Sequence, residues 1–298
     1  MIKKYVLPIV LVVSLFLLHL YLPYFLLTNL NLNSSKVVLG VTYYYEFDND
    51  WDLHQNMELL NETGIKVIRV RLFSDVTDVK SNSYNLTRIF FELVERYNFS
   101  VALMVSETLT YYIPQESVDF YFKNWGKYIK YVQILNEPEL LTGWTMNYPL
   151  LPEELYNLFI DAYNKTVNAM QKYDYKPLLY INFSPVSILR TDVQTKLSKF
   201  VDFVGIDIYM TAGLQTFYYF YRDLQAVTKK PVIVTEFGYT SNDKEQQKNY
   251  VMSCIKIFQN LGISQAWIYD WNSNQPPYSY GIRDNQALLE ELRNYAYS

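Results

Sequence analysis

The chain has 298 residues, half of them apolar, and a formal net charge of −4. This length suits one large domain or two small ones, and the absence of a basic excess argues against a nucleic-acid-binding protein. The single cysteine, Cys254, excludes an internal disulfide and a cysteine-based metal site. Only two histidines are present, so a histidine-based metal centre or catalytic triad has few residues to draw on. No cofactor is implied.

The N-terminal segment predicts a membrane anchor. A lysine pair ends at Lys4, and no Asp, Glu, Lys or Arg occurs between Lys4 and Lys36. Because about 20 apolar residues span a bilayer, residues 1–27 are expected to form a cytoplasmic N-terminus and a transmembrane signal-anchor, followed by a tether at 28–36. The shorter apolar region and small-residue cleavage site of a cleaved signal peptide are not evident. The lysine pair favours a cytoplasmic N-terminus, which leaves 37–298 outside the cytoplasm; cleavage would instead make the protein secreted.

Beyond the tether, strand-like and helix-like segments alternate. The predicted strands are Val37–Tyr43, Ile65–Phe73, Ser100–Val105, Tyr131–Leu135, Pro177–Ile181, Phe203–Tyr209, Pro231–Thr235 and Ser264–Tyr269. Strands that alternate with helices favour a parallel sheet. An open doubly wound sheet is the alternative, but Gly40-Val41-Thr42-Tyr43 lacks the glycine-rich phosphate turn typical of its first strand. The expected fold is therefore α/β, a (β/α)₈ TIM barrel over 37–298.

Two glutamates follow predicted strands, in Leu135-Asn136-Glu137-Pro138 and in Val234-Thr235-Glu236-Phe237-Gly238-Tyr239. A carboxylate at a strand end is costly to bury, so the pair points to chemistry that uses two carboxyl groups, and glycoside hydrolysis is the obvious candidate. In a barrel the carboxyl ends of the fourth and seventh strands meet at one mouth. Taken singly, Glu137 could be a helix N-terminal residue favoured by the helix dipole, and Glu236 a solvated loop residue.

Strand alternation selects further residues for the mouth. Arg69 and Arg71 share one face of the second strand, and an arginine near a carboxylate keeps it ionised. Asp207 and Tyr209 likewise share a face of the sixth strand, where a tyrosine hydroxyl could orient a carboxylate.

Aromatic and acidic residues also occur near strand ends. Trp267, Tyr269 and Trp271 alternate along the eighth strand and are expected to form an aromatic wall, a surface on which sugar rings stack. Glu46, after the first strand, and Glu107, after the third, are further mouth carboxylates, interpreted as substrate contacts or as loop polarity.

The segments Asn136-Glu137-Pro138 and Thr235-Glu236-Phe237-Gly238-Tyr239, at this spacing, resemble clan A of the retaining glycoside hydrolases, which includes the cellulase and mannanase families. The stretch Ile68-Arg69-Val70-Arg71 is also similar to the galactanase family, so no single family is singled out. The likeness covers the layout from Val37 onward, with strong motif identity only around the two glutamates.

The resemblance implies a role for each matching residue. Glu137 matches the acid/base, Asn136 the residue that binds the sugar 2-hydroxyl, Glu236 the nucleophile, Arg69 the second-strand arginine, Tyr209 the sixth-strand tyrosine near the nucleophile, and Trp267 the eighth-strand platform. It implies retaining hydrolysis of an extracellular β-linked oligosaccharide or polysaccharide. Two alternatives stay open: a non-catalytic carbohydrate-binding surface protein on the same barrel, and a transglycosylase that remodels a surface glycan.

Overall fold

The barrel is closed and its strands are parallel. The computed structural model describes residues 36–106, 113–141, 152–185, 191–209, 213–272 and 280–298. Eight strands pair in chain order, and the first pairs with the last. They are β1 Val38–Thr42, β2 Val67–Arg71, β3 Ser100–Met104, β4 Ile129–Gln133, β5 Leu178–Phe183, β6 Phe203–Tyr209, β7 Val232–Gly238 and β8 Gln265–Ile268. The predicted (β/α)₈ fold is confirmed.

Helices follow the strands and cover the outside of the barrel. In the described ranges they are α1 Asp50–Glu62, α2 Asn82–Tyr97, α3 Gln115–Trp125, α4 Pro138–Leu141, α5 Pro152–Tyr173, α6 Thr191–Leu197, α7 Gly213–Thr228, α8 Lys244–Asn260 and α9 Gln286–Tyr297. Polar caps start several of them: the side chains of Asn49, Ser81 and Asp243 accept from backbone N–H groups in the first turns of α1, α2 and α8.

Strand alternation divides the core into two layers. In β2, Ile68 and Val70 belong to the large apolar cluster between the sheet and the helices, whereas Val67 belongs to a small cluster inside the barrel. Arg69 lies on the inward face with Val67, as predicted from the period of two. Each strand therefore contributes one set of side chains to the helix layer and another to the lumen.

Aromatic rings fill the lumen below the mouth. The ring of Tyr180 stacks on Phe203 at 5.0 Å, and Trp267 meets Tyr180 edge-on at 5.4 Å between centroids. The indole of Trp267 occupies the space above Gly40, where an added Cβ would lie 2.4 Å from its Cδ1. The lumen is thus a packed floor that leaves space for a site only at the carboxyl ends of the strands.

A bulge in β7 shapes that end of the barrel. Val234 pairs with Ile206, but the next paired residue, opposite Asp207, is Glu236, so Thr235 is the extra residue. A bulge re-aims the side chains that follow it. Both Thr235 and Glu236 consequently face the lumen, and Glu236 lies within the strand instead of directly after it.

Most predicted strands differ from the observed ones by one or more residues at their ends, and β4 and β7 bear on the site. The regular pairing of β4 stops at Gln133. The chain stays extended beyond that residue, so Asn136 N still donates to Ser106 O at 3.2 Å. The ladder of β7 runs to Gly238, which pairs with Tyr209, because β6 offers a partner for the full length. The predicted ends were Leu135, two residues later than observed, and Thr235, three residues earlier than observed.

The predicted anchor at 1–27, the tether at 28–35 and Glu107 lie outside the described residues. Among the residues that the structure does describe, no helix combines the length and apolar character needed to cross a membrane.

Candidate active site

Glu236 sits at the centre of the barrel mouth with fixed hydrogen-bond donors. Its side chain is 6% exposed. Arg69 Nη1 donates to Oε1 at 2.6 Å, and the Tyr209 hydroxyl donates to Oε2. Burial raises the pKa of Tyr209 well above its usual value and the Glu236 charge adds to the shift, so the phenol keeps its proton for this bond. An ion pair and a hydroxyl donor thus hold both oxygens of the Glu236 side chain in place.

Arg69 connects four strands through its guanidinium group. Besides Glu236, it donates from Nε to Gln133 Oε1 at 2.7 Å, from Nη1 to Thr42 Oγ1 at 3.1 Å and from Nη2 to Asn136 Oδ1 at 2.9 Å. Its side chain is 1% exposed. Such a buried cation is stable only when paired and fully hydrogen-bonded. The four oxygen acceptors, together with Met104 Sδ at 3.5 Å from Nη2, meet this requirement.

Asn136 is oriented by three donors that converge on its Oδ1: Arg69 Nη2, Gln133 Nε2 at 2.8 Å and Asn182 Nδ2 at 2.8 Å. With the oxygen occupied on this side, the amide NH₂ points away from the three donors. The role of Asn136 in binding the sugar 2-hydroxyl stays a prediction.

Glu137 has an unusual backbone conformation and an electrostatically strained side chain. Its φ is 40°, in the left-handed region that non-glycine residues rarely adopt. Its backbone N donates to Asn182 Oδ1 at 3.1 Å, which supports that conformation. Burial raises the pKa of Glu137 well above its usual value, and the charges of Glu236 and Glu139 raise it further against the opposing effect of Arg69. Burial and these charges therefore favour the protonated form of the Glu137 carboxyl group.

Asp207 lies beneath the mouth instead of lining it. It is fully buried, accepts from Thr235 Oγ1 at 2.7 Å and bonds to Asn182 Nδ2. Burial, and then the charges of Glu236 and Glu137, raise the pKa of Asp207 well above its usual value. Asp207 accepts a hydrogen bond from the amide nitrogen of Asn182, and the amide oxygen of Asn182 accepts from Glu137 N. Asp207 therefore supports the site from below. It does not contact the space open to substrate.

Four tyrosines surround the Glu236 side of the mouth. Tyr209 meets Tyr269 edge-on at 5.6 Å and Tyr280 at 5.4 Å between ring centroids. The Tyr44 hydroxyl donates to that of Tyr269 at 3.3 Å. The rings form a rigid aromatic border with polar tips, a surface suited to sugar rings.

The aromatic wall predicted for the eighth strand is wrong for two of its three members. Trp267 is fully buried in the floor of the lumen, and Trp271 is fully buried in the core between sheet and helices, where its backbone N donates to Thr42 O at 2.9 Å. Only Tyr269 reaches the mouth. The three aromatic residues do alternate along the chain as predicted. Trp267, however, lies one side-chain layer below the mouth of the barrel. Trp271 comes after the point where β8 stops pairing with its neighbouring strands.

Arg71 lies at the rim instead of beside the two central glutamates. Its Nη2 pairs with Glu46 Oε1 at 2.6 Å, and its guanidinium carbon lies 5.9 Å from the Tyr44 ring centroid. The side chain is 34% exposed. Arg71 is on the predicted inward face of β2, but it lies nearer the outer edge of the barrel mouth than Arg69 does.

Sequence reasoning missed two amides in the site, Gln133 and Asn182. Both are fully buried, and Gln133 Nε2 donates to Asn182 Oδ1 at 2.7 Å. Gln133 is inward-facing in β4, and Asn182 is inward-facing in β5. A polar residue at an inward position near a strand end is the signal that would have identified them.

No protein-family model and no curated protein sequence matches the chain. Solved structures with the same barrel include the β-glycosidase BGL167, at 13% identity over 83% of this chain and 86% of that chain, with a TM-score of 0.61. A family 1 β-glucosidase from Thermotoga maritima aligns at 11% identity over 83% of this chain and 92% of that one, with a TM-score of 0.60.

A third similar structure is a β-glucuronidase from Bacteroides uniformis, at 14% identity and a TM-score of 0.63 over 87% of this chain. The chain spans 35% of the length of that enzyme. At these identities the likeness shows the fold: the chain has the (β/α)₈ barrel found in β-glycosidases.

Proposed function

We propose that the protein is a retaining β-glycoside hydrolase that acts on β-linked oligosaccharides or polysaccharides, with Glu236 as nucleophile and Glu137 as acid/base. The observation that carries this proposal is the contrast between two carboxyl groups at one mouth. Glu236 receives an ion pair from Arg69 and a hydroxyl donor from Tyr209, whereas Glu137 has a raised pKa. Two carboxyl groups whose environments differ in this way divide into a nucleophile and an acid.

In the first step Glu236 attacks the anomeric carbon while Glu137 transfers its proton to the departing glycosidic oxygen. The products are a covalent glycosyl-enzyme, a free aglycone hydroxyl and the Glu137 carboxylate. The two donors to Glu236 position its oxygens, and Asn136 is placed to donate to a sugar hydroxyl as the positive charge develops on the ring.

In the second step Glu137 takes a proton from a water molecule, and the water oxygen attacks the anomeric carbon. The bond to Glu236 breaks, and the sugar leaves with the configuration it had at the start. The same residues serve both steps, because loss of the proton makes Glu137 the base that the second step requires.

The direct test is the stereochemistry of hydrolysis. We expect the full chain to release a β-anomer first from an aryl β-glycoside, followed by mutarotation, as recorded by proton NMR within minutes. An α-anomer as first product would contradict double displacement. Binding of oligosaccharide without release of sugar would favour the non-catalytic alternative, and transfer of glycosyl units to added sugar would favour the transglycosylase.

The pH profile should report the proton on Glu137. Because this acid must be protonated in the first step, kcat/KM should fall as the pH rises through its raised pKa. Glu139 contributes to that elevation, so the Glu139→Gln variant should move the alkaline limb of the kcat/KM profile to lower pH. Gln keeps an acceptor for Ser184 N, which donates to Glu139 Oε1 at 2.5 Å. An alkaline limb that stays in place or moves upward would contradict the assignment.

We further propose that residues 1–27 anchor the protein in a membrane with the barrel outside the cytoplasm. The support is the sequence alone: a paired-lysine start and an apolar run long enough to span a bilayer. Alkaline carbonate extraction of membranes should leave the chain in the pellet, and its release into the supernatant would refute the anchor.

A further inference from the structure

A buried asparagine connects the proposed acid/base to the paired strands of the barrel. Asn182 lies in β5 and is fully buried. Its Oδ1 accepts from Glu137 N at 3.1 Å and from Gln133 Nε2 at 2.7 Å. Its Nδ2 donates to Asn136 Oδ1 at 2.8 Å and to Asp207 Oδ2. A side-chain amide has two hydrogens and two acceptor positions. All four are used within the protein, so Asn182 acts on neighbouring residues and not on substrate.

Glu137 depends on this contact because its backbone conformation is unfavourable and lies beyond the regular pairing of its strand. Its φ of 40° is in the left-handed region, which is costly for a residue with a Cβ and persists only where the surroundings enforce it. The pairing of β4 stops at Gln133, whereas Asn182 is paired with Gly205 of β6. The hydrogen bond from Glu137 N to Asn182 Oδ1 thus ties a segment after β4 to a paired strand.

The aim of the Glu137 side chain follows from that backbone. The Cα–Cβ bond has a fixed direction relative to the backbone atoms of the same residue, so a change in φ would turn the carboxyl group away from its present position. Proton transfer requires a donor and an acceptor about 2.6–3.2 Å apart. A misplacement of about 1 Å is enough to cost on the order of a hundredfold in rate. The bond that holds Glu137 N therefore bears directly on acid catalysis.

Asp207 determines which way the Asn182 amide faces. Asp207 Oδ2 accepts from Asn182 Nδ2, and Asp207 Oδ1 accepts from Thr235 Oγ1 at 2.7 Å. If the amide were turned over, its oxygen would face Asp207 Oδ2, and its NH₂ group would face the backbone N–H of Glu137. Both contacts would then join groups of the same kind, acceptor with acceptor and donor with donor. Asp207 therefore favours the orientation in which the amide oxygen faces Glu137 N.

From these contacts we propose that Asn182 is a positioning residue for the acid/base. Its Oδ1 fixes the backbone of Glu137 and so aims the carboxyl group at the glycosidic oxygen, while Asp207 holds the amide in the orientation that this requires. This inference rests on the proposed function and adds to it the residues that place the proton donor.

The test measures how strongly hydrolysis depends on protonation of the leaving group. A dinitrophenolate departs readily without a proton, whereas a phenolate departs slowly unless the acid protonates it. The ratio of kcat/KM for the phenyl β-glycoside to that for the dinitrophenyl β-glycoside therefore reports acid catalysis. The sugar is the one of glucose, mannose, galactose and xylose whose aryl β-glycoside the full wild-type chain hydrolyses fastest. We expect Asn182→Ala to lower this ratio by about tenfold or more, whereas a purely structural role would lower both values equally.

Two controls separate positioning from a general loss of structure. Asn285 is also buried, and its Oδ1 likewise accepts from a backbone N–H, that of Leu288 at 3.2 Å, but it caps α9. Asn285→Ala should keep the ratio within about twofold of the wild type even where stability falls. In a Glu137→Ala background, Asn182→Ala should also change the ratio by less than about twofold, because no acid is left to position.

Equal losses on the two glycosides would overturn the inference and leave the proposed function intact. An effect on the ratio that persists in the Glu137→Ala background would overturn it as well. Thermal unfolding identifies a variant that fails to fold, and Asn182→Thr, which suits a strand and lacks an acceptor at the position of Oδ1, provides a second measurement with the same expected fall in the ratio. Failure of the wild type to hydrolyse either glycoside would overturn the proposed function and this inference together.

Discussion

Replacing Glu236 by Ala should lower kcat/KM on a β-glycoside by at least about 10⁴-fold, because the covalent intermediate cannot form without the nucleophile. The substitution also leaves Arg69 buried beside an empty space, which destabilises the fold. Glu236→Gln keeps an oxygen for the arginine and should be equally inactive with a smaller loss of stability. Steady-state hydrolysis and urea unfolding of the two variants separate the chemical effect from the structural one.

Added azide should restore part of the activity of Glu236→Ala but not of Glu236→Gln. Azide fits the space that the carboxylate vacates and attacks the anomeric carbon from that side, so the product is a glycosyl azide of inverted configuration. Glu92→Ala, at an exposed glutamate on α2, is the matched control and should behave as the wild type with or without azide. Activity near that of the wild type in Glu236→Ala would remove this residue from the mechanism.

Replacing Arg69 by Met should cost about 3–5 kcal/mol of unfolding free energy, because it leaves the Glu236 carboxylate buried without its ionic partner. Gln133, Thr42 and Asn136 lose a donor in the same change. Hydrolysis should fall sharply as well, because Glu236 and Asn136 are no longer held in place. Arg88→Met, at an exposed pair, should change stability by less than about 0.5 kcal/mol.

A double-mutant cycle shows whether that cost comes from the ion pair. Combining Arg69→Met with Glu236→Gln removes both charges, so the double variant should be less destabilised than the sum of the two single variants, measured by urea unfolding. Strict additivity would mean that the Arg69–Glu236 contact does not explain the loss.

The order of strands and the inward-facing residues of β2 and β6 were predictable from the sequence. The period of two places Arg69 with Val67, and Asp207 with Tyr209, whatever the neighbouring strands are. The placement of Glu137 and Glu236 at the mouth follows from the tendency of barrel sites to lie at the carboxyl ends of strands. The period of two does not give the inward aim of Glu236, which depends on the bulge at Thr235.

The depth at which a side chain lies along the barrel axis was not predictable from the sequence. Trp267 and Tyr269 share an inward face of the eighth strand, yet Trp267 packs in the floor and Tyr269 reaches the mouth. Depth depends on the stagger of each strand against its neighbours, which is a property of several strands together. The bulge at Thr235 was unpredictable for the same reason, since it arises in the pairing of β7 with its neighbours β6 and β8.

The amino-acid sequence by itself therefore determined the barrel, the pair of carboxyl groups and the arginine that accompanies them, because these follow from local periodicity and strand order. Only the tertiary structure decided which polar side chains converge. It brought Gln133 and Asn182 beneath Asn136 and Glu137, and it set Arg71 against Glu46 at the rim. The physical reason is that hydrogen-bond networks and charge pairs depend on atomic separations across different strands, which no single segment of the chain specifies.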